Sequence, residues 1–232
     1  SQNTLLFSRY EWFDKISASQ NYIFFAIYVK LGIFNRSTNN IIYFDDRLPG
    51  TGLISKDDIV YYVNSSYQLC SFNPENNETI ILKTYEFEEN VSTMWIIDNY
   101  LICLVFNNSS TGNQSLVSFN LDDINTQPRV LISDYFREKN NFTVTNNSIY
   151  MAAYEKDIFA QPSVEKNIFA LSEVFPDGKT PERLINFTAE PFFLKGFYGV
   201  AKSNDTLNIF VNKHKVLKYN ILNQWKSKYY YQ

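Results

Sequence analysis

Five times along 232 residues, a strand runs into a polar corner rich in Asn, Asp or Ser, and a strongly apolar strand follows at once. The instances are Ser19-Gln20-Asn21-Tyr22-Ile23-Phe24-Phe25, Lys56-Asp57-Asp58-Ile59-Val60-Tyr61-Tyr62, Ile97-Asp98-Asn99-Tyr100-Leu101-Ile102-Cys103, Thr145-Asn146-Asn147-Ser148-Ile149-Tyr150-Met151 and Ser203-Asn204-Asp205-Thr206-Leu207-Asn208-Ile209. Asn and Asp suit such corners because their side chains bond nearby backbone and tolerate positive φ. With Asn21, Asp58, Asn99, Asn147 and Asp205 as markers, the spacings are 37, 41, 48 and 58 residues, the growth coming from longer loops in the later units. A recurrence of this kind constrains the fold strongly. Each copy is one small unit that cannot bury both faces alone and must stack on the next.

A third strand follows each hairpin and often ends in an aromatic residue and Asn. Leu69-Cys70-Ser71-Phe72-Asn73, Leu116-Val117-Ser118-Phe119-Asn120 and Leu217-Lys218-Tyr219-Asn220 are close copies; Ile33-Phe34-Asn35 is shorter and Ile168-Phe169-Ala170-Leu171 looser. Fourth strands are expected over 40–44, 79–84, 129–133, 183–187 and 225–230. The 17% aromatic content, with abundant Ile, Val and Thr, favours strands over helices. Four strands joined by short turns and repeated in this way form the blade of a β-propeller. The expected fold is therefore all-β: a single β-propeller domain over 1–232, with five blades of four antiparallel strands at 13–46, 52–86, 91–134, 141–188 and 196–232. Segment 1–12, with Leu5 to Tyr10 as its pairing stretch, is a candidate closing strand for the last blade. Runs such as Ile59 to Val63 and Tyr100 to Phe106 are apolar throughout, as expected of strands sandwiched between neighbours. Two stacked sandwiches are the rival all-β arrangement.

The blade rhythm resembles that of extracellular β-propellers, and five blades in this length is similar to olfactomedin-type domains. Asp205-Thr206-Leu207-Asn208-Ile209-Phe210-Val211-Asn212-Lys213-His214-Lys215-Val216-Leu217-Lys218-Tyr219-Asn220 is similar in shape to a closing blade of that kind. The resemblance covers architecture over most of the chain. It departs from the family in the cysteines, since the family's disulfide joins the two ends of the domain and both cysteines here lie mid-chain. No residues match the family's calcium ligands, so no metal site is carried over.

Net charge is −3, with acidic and basic residues mixed. Without a basic stripe to follow a phosphate backbone, a nucleic-acid partner is not expected. No apolar run is long enough to cross a bilayer as a helix, so membrane insertion is not expected either. No signal peptide opens the chain, so a secreted protein would stand here in mature form, with Ser1 a processed or chosen end.

Asn-x-Ser/Thr triplets occur at Asn35, Asn64, Asn77, Asn90, Asn107, Asn108, Asn113, Asn141, Asn146, Asn186 and Asn204. Roughly 4 are expected by chance at this composition. An Asn-rich genome would also raise the count, but most of these sites flank strands in turn-like stretches where a glycan is tolerated. They point to a secreted or cell-surface glycoprotein. Cys70 and Cys103 fit one disulfide in an oxidising compartment, or alternatively a pair of buried thiols.

Chemistry finds little footing. The single histidine, His214, lies in a polar turn, with no nucleophile elbow to serve. Asp45-Asp46, Asp57-Asp58, Glu88-Glu89 and Asp122-Asp123 read as turn formers, because adjacent carboxylates point different ways. Asp98, Glu155 and Asp205 are the first suspects for a propeller glycosidase-like carboxylate site. Phe44-Asp45-Asp46-Arg47-Leu48-Pro49-Gly50-Thr51-Gly52 reads as an inter-blade connection, because no Lys-Ser/Thr follows the glycines. The long loop at 155–166 is a candidate contact surface. The expected function is recognition of another extracellular protein through a propeller face, with no cofactor, metal or catalytic residue assigned. The alternatives are a secreted carboxylate-dependent hydrolase or lyase, and a non-catalytic propeller belonging to a larger peptidase-like protein.

Overall fold

The computed structural model describes residues 14–44, 46–86, 89–107, 114–123, 125–132, 142–145, 147–154, 168–188, 199–212, 215–222 and 226–230. Every regular element among them is a strand. The first sheet holds β1 (Lys15–Ala18), β2 (Tyr22–Ile27), β3 (Lys30–Asn35) and β4 (Ile41–Phe44); the second holds β5 (Leu53–Lys56), β6 (Ile59–Val63), β7 (Gln68–Asn73) and β8 (Glu78–Thr84). The third holds β9 (Glu89–Ile97), β10 (Tyr100–Asn107), β11 (Gln114–Asn120) and β12 (Arg129–Ile132), and the fourth β13 (Phe142–Val144), β14 (Ile149–Tyr154), β15 (Ile168–Val174) and β16 (Glu182–Thr188). β17 (Gly199–Ser203), β18 (Thr206–Asn212), β19 (Lys215–Asn220) and β20 (Lys226–Tyr230) form the fifth.

All five sheets are four-stranded antiparallel meanders, each in simple sequence order. The crossovers that a Greek-key sandwich needs are absent from these sheets, so the rival arrangement falls. Each expected fourth strand is present within a residue or two of its expected bounds.

The corners show why the pattern repeats. Asp57 and Asp58 both adopt positive φ, 49° and 63°, giving the two-residue turn whose twist matches that of the flanking strands. Asp98 and Asn204 likewise sit at 51°. A second recurrence lies in the backbone. Arg36 N–H donates to the Asn21 carbonyl, Leu121 N–H to that of Asn99, and Ile221 N–H to that of Asp205. Each donor directly follows the terminal Asn of a third strand, tying the end of that strand back to the corner of its own sheet. In the second sheet Pro74 takes this place and has no N–H to give. The terminal Asn also caps the next turn: the Oδ1 atoms of Asn35, Asn73 and Asn120 accept from the backbone N–H two residues on, at 2.9–3.0 Å. Bulges between third and fourth strands recur at Leu69/Cys70, Leu116/Val117 and Leu171/Ser172. Such shifts increase the local twist.

The chain divides into two compact units, Ser1–Met94 and Trp95–Gln232. In the first unit, Phe24, Ala26, Leu31 and Ile33 pack with Leu53, Val60, Tyr62, Cys70 and Phe72, joining the first two sheets in one core. The rings of Phe44 and Phe72 meet edge-on at 5.0 Å. In the second unit, Ile97, Ile102, Leu104, Leu116 and Ile132 meet Phe142, Ile149, Met151 and Val174, with Trp95 edge-on to Phe142. Each large aliphatic or aromatic side chain so buried contributes about 1.5–3 kcal/mol. Burial is greatest in the second and third strands. β1 and β4 of the first sheet are half-exposed, and so is most of β8 in the second. Segment 1–12, the loop at 155–166 and His214 lie outside the described residues.

Candidate functional site

The stretch from Phe44 to Gly52 does connect two sheets, but its interior is not the polar turn its composition suggests. Arg47 is fully buried. Its Nη1 donates to the Tyr28 carbonyl at 3.0 Å, while Nη2 donates to the Thr51 carbonyl at 2.7 Å and to Asp14 Oδ2 at 2.8 Å. A planar fork serving three acceptors is a task for guanidinium and not for ammonium. Arg47 thus fastens the β2–β3 turn and the start of the first sheet to the connector.

A second fastening joins the corners of the first two sheets. Asn21 N–H donates to Asp58 Oδ1 at 3.0 Å, Asn21 Nδ2 donates to Oδ2 at 2.6 Å, and the Ser19 hydroxyl donates to Oδ1. Burial pushes the Asp58 carboxyl up, but the bonds from Ser19 and Asn21 and the charge of Arg36 outweigh it and hold the group below its ordinary value of 3.8. A depressed folded-state value means this contribution to stability is fully present above the unfolded value and is lost as pH falls through the folded one. Urea unfolding of wild type and Asp58→Asn should therefore differ at neutral pH and converge below the carboxylate range. Parallel pH profiles would refute the latch.

The equivalent corner of the fourth sheet is arranged alike, yet open. Thr145 N–H donates to the Ser148 carbonyl as Ser19 N–H does to that of Tyr22, so Asn147 stands where Asn21 stands in the first sheet. Between this corner and that of the fifth sheet lies a cleft of about 610 Å³, lined by Thr143, Val144, Thr145, Asn147, Ser148, Tyr150, Lys202 and Asn204. Lys202 Nζ lies 5.5 Å from the centroid of the Tyr150 ring, a cation–π distance. The Tyr150 hydroxyl is pushed up by burial and then by the charge of Glu173.

The carboxylate suspects do not share this cleft. Asp98 and Asp205 each sit in the corner of their own sheet, outside the cleft lining, and Glu155 lies outside the described residues. The paired acids act largely as turn chemistry. Asp46 accepts from Ser65, Asp122 from Asn99 Nδ2, and Asp123 from Thr126 Oγ1 and Asn125 N–H. Among the described residues no group of three or more His, Cys, Asp or Glu stands ready for a metal ion. No helix there is long and apolar enough to cross a membrane.

The expected disulfide is corrected: Cys70 and Cys103 are both buried thiols, not joined to each other. Each is consumed by packing inside its own sheet, Cys70 opposite Tyr62 and Cys103 opposite Val117. Burial, and then the charge of Asp46, push the Cys70 thiol up to about 11. At pH 8 a thiol-specific disulfide reagent should leave the native protein untouched and label two groups after denaturation. Stoichiometric labelling of the native state would contradict the burial.

The described sequons differ sharply in setting. Asn77 is an exposed turn residue at φ 56°, and Asn204 is an exposed corner at the lip of the cleft. Asn64 is buried, with Nδ2, the atom that would carry a glycan, donating to Gln68 Oε1 at 2.9 Å and Oδ1 accepting from the Ser66 and Gln68 N–H groups. Asn108, Asn113, Asn141 and Asn146 lie outside the described residues.

Five successive four-stranded antiparallel meanders are the blades of a β-propeller. Solved structures of the same fold include a chain of the S. cerevisiae complex in which Dbp5 is bound to Nup159, Gle1, IP6 and ADP: TM-score 0.56, 13% identity, 93% of this chain and 60% of that one. The N-terminal domain of Nup159 gives 0.58 at 13% identity, again over 93% and 60%. The tricorn protease gives 0.59 at 10% identity, over 93% of this chain and 26% of that chain. At such identities the likeness shows the fold alone, and this chain spans less than two thirds of each. No family model matches it, and no curated protein does. In all, 722 chains match in structure, so the fold by itself does not select a function.

Proposed function

We propose that this chain is an extracellular recognition module: a single five-bladed propeller, part of a secreted or cell-surface glycoprotein, that binds another protein through the corner end of its blades. The observation that carries the reading is the open cleft between the fourth and fifth sheets, walled by hydroxyls, amides and one ammonium group. Neutral donors around a cation suit binding better than proton transfer, which needs a titrating acid and base within reach of one substrate. Propellers with protein partners occur among the similar structures, where Nup159 shares a complex with Dbp5 and Gle1. The excess of sequons supports the secretory route, and exposed turns such as that of Asn77 have room for a glycan.

Peptide N-glycosidase treatment of protein secreted from a eukaryotic host, followed by site mapping, tests the compartment. The expected result is a loss of mass, with Asn77 occupied, Asn64 bare because its amide is buried, and Asn204 bare so that the cleft stays open. No change in mass would overturn the secretory part and leave a propeller working where thiols such as Cys70 stay reduced. Affinity capture from the native source tests the binding part.

A further inference from the structure

We infer that the cleft between the fourth and fifth sheets is a receptor for a carboxylate side chain presented by an acidic segment of a protein partner. The inference rests on the recognition reading above and names the chemistry of its site.

The first two sheets show what a corner of this kind accepts: Asp58, from the next sheet, fills it and takes the backbone N–H and Nδ2 of Asn21 together with the Ser19 hydroxyl. Thr145 and Asn147 of the fourth sheet stand in the places of Ser19 and Asn21, as the matching bonds from Ser19 to Tyr22 and Thr145 to Ser148 establish. The residue matching Asp58 is Asp205. Its carboxylate makes no hydrogen bond among the described residues, although its main-chain carbonyl is tied to Ile221.

Turn geometry accounts for the difference. Asp57 and Asp58 both take positive φ, whereas only Asn204 does so in the later corner, and Asp205 stays exposed outside the cleft lining. Asn147 is accordingly exposed, with its N–H and Nδ2 unbonded among the described residues. The Thr145 hydroxyl donates to the Ser148 carbonyl at 2.9 Å and accepts from the Ser148 N–H at 3.1 Å, so it turns its proton toward the cleft by giving up the bond to the carbonyl. A carboxylate from outside therefore meets a donor set that has already bound one elsewhere in this chain.

Lys202 supplies a cation on the cleft wall, as Arg36 does near the filled corner, while the buried Tyr150 ring beneath it supplies an apolar floor for a methylene stem. Charge-assisted bonds to a carboxylate are the stronger kind, and the volume exceeds that of one side chain, leaving room for flanking backbone. A neutral amide gains less, because it brings donors to a site already rich in them.

A blocked tetra-aspartate peptide, its tetra-asparagine counterpart and sodium succinate are titrated into the whole protein, with backbone amide shifts as readout. Saturable binding of tetra-aspartate is expected, with shifts confined to residues around Asn147 and Lys202. Affinity should fall about tenfold in both Lys202→Gln and Asn147→Ala; both residues lie on the surface, and Lys202 has only its contact with the Tyr150 ring to lose. Tetra-asparagine binding as tightly, no binding of tetra-aspartate, or unchanged affinity in the variants would overturn the inference. Succinate binding as tightly as the peptide would assign the cleft to a free small carboxylate and overturn the acidic-segment reading. If Lys202→Gln retains a natively captured partner, the inference fails while the recognition reading stands. If no partner is captured at all, the recognition reading itself fails.

Discussion

Arg47→Met should lower the unfolding free energy by about 3–5 kcal/mol, a fall of about 10 °C or more in Tm for a chain of this size. The side chain is wholly buried and serves three oxygens; its bond to the Thr51 carbonyl is buried, and those to the Tyr28 carbonyl and the Asp14 carboxylate are half-buried. Removing the guanidinium leaves the Thr51 carbonyl in the buried site, and the half-buried Tyr28 carbonyl, without their donor, and an unsatisfied buried acceptor costs about 1–3 kcal/mol. The methionine stem replaces part of the lost packing but none of the donors. Arg47→Lys should recover little, because a single ammonium cannot reproduce the fork. Asp14→Asn should cost less, about 1–2 kcal/mol, because Asp14 is 35% exposed and its amide oxygen can still accept. Chemical unfolding followed by tryptophan fluorescence, with separate probes for the two units, checks the order. Equal losses in Arg47→Met and Asp14→Asn would show that the ion pair matters more than the buried carbonyls.

Gly32→Ala is expected to cost about 3 kcal/mol, the upper end for overpacking. Gly32 pairs with Phe25 on one side and Tyr43 on the other. The Phe25 ring lies across it, 1% exposed, and meets the Tyr43 ring edge-on at 5.9 Å. A Cβ on residue 32 would fall 2.1 Å from a Phe25 ring carbon, far inside contact distance. The ring must leave, and the edge-on contact goes with it. Aromatic cover of a strand glycine is a known stabilising device, and here it spans three strands. In a Phe25→Leu background the same Gly32→Ala change should cost under about 1 kcal/mol. Additive losses in the double mutant would disprove the steric account.

These two substitutions mark where sequence reading stops. The Asx corners and the third-strand Asn residues were legible, because turn chemistry is local: Asp tolerates the positive φ that the corner at Asp57-Asp58 needs, and Asn73 or Asn120 caps the turn it immediately precedes. Five meanders and their bounds follow from that. Arg47 was not legible. Asp-Asp-Arg-Leu-Pro-Gly reads as a polar connection, and nothing in its neighbours announces that Tyr28 and Thr51 will turn their carbonyls inward. Cys70 and Cys103 show a similar limit, since an even count does not distinguish a bridge from two thiols in separate strand interiors. Asn64 matches a sequon but spends its amide on Gln68. The open cleft depends on how two distant corners face one another, and on Asp205 lacking the backbone turn that carries Asp58 into its pocket. Sequence similarity of corners conceals that difference.

The half-exposed fourth strands carry a liability of their own. Among the described residues, β4, β8 and β12 each have a hydrogen-bonded neighbour on one side only, and each offers the solvent apolar side chains: Ile42 and Tyr43, Ile81, and Val130. Such rims are templates on which a second chain can add a strand, the first step toward fibrils. Charged residues on two of these strands, Lys83 and Glu78 on β8 and Arg129 on β12, work as gatekeepers against that addition. A sugar on Asn77, immediately before β8, would screen that rim as well, so losing it should show first as turbidity on storage and only later as a change in melting.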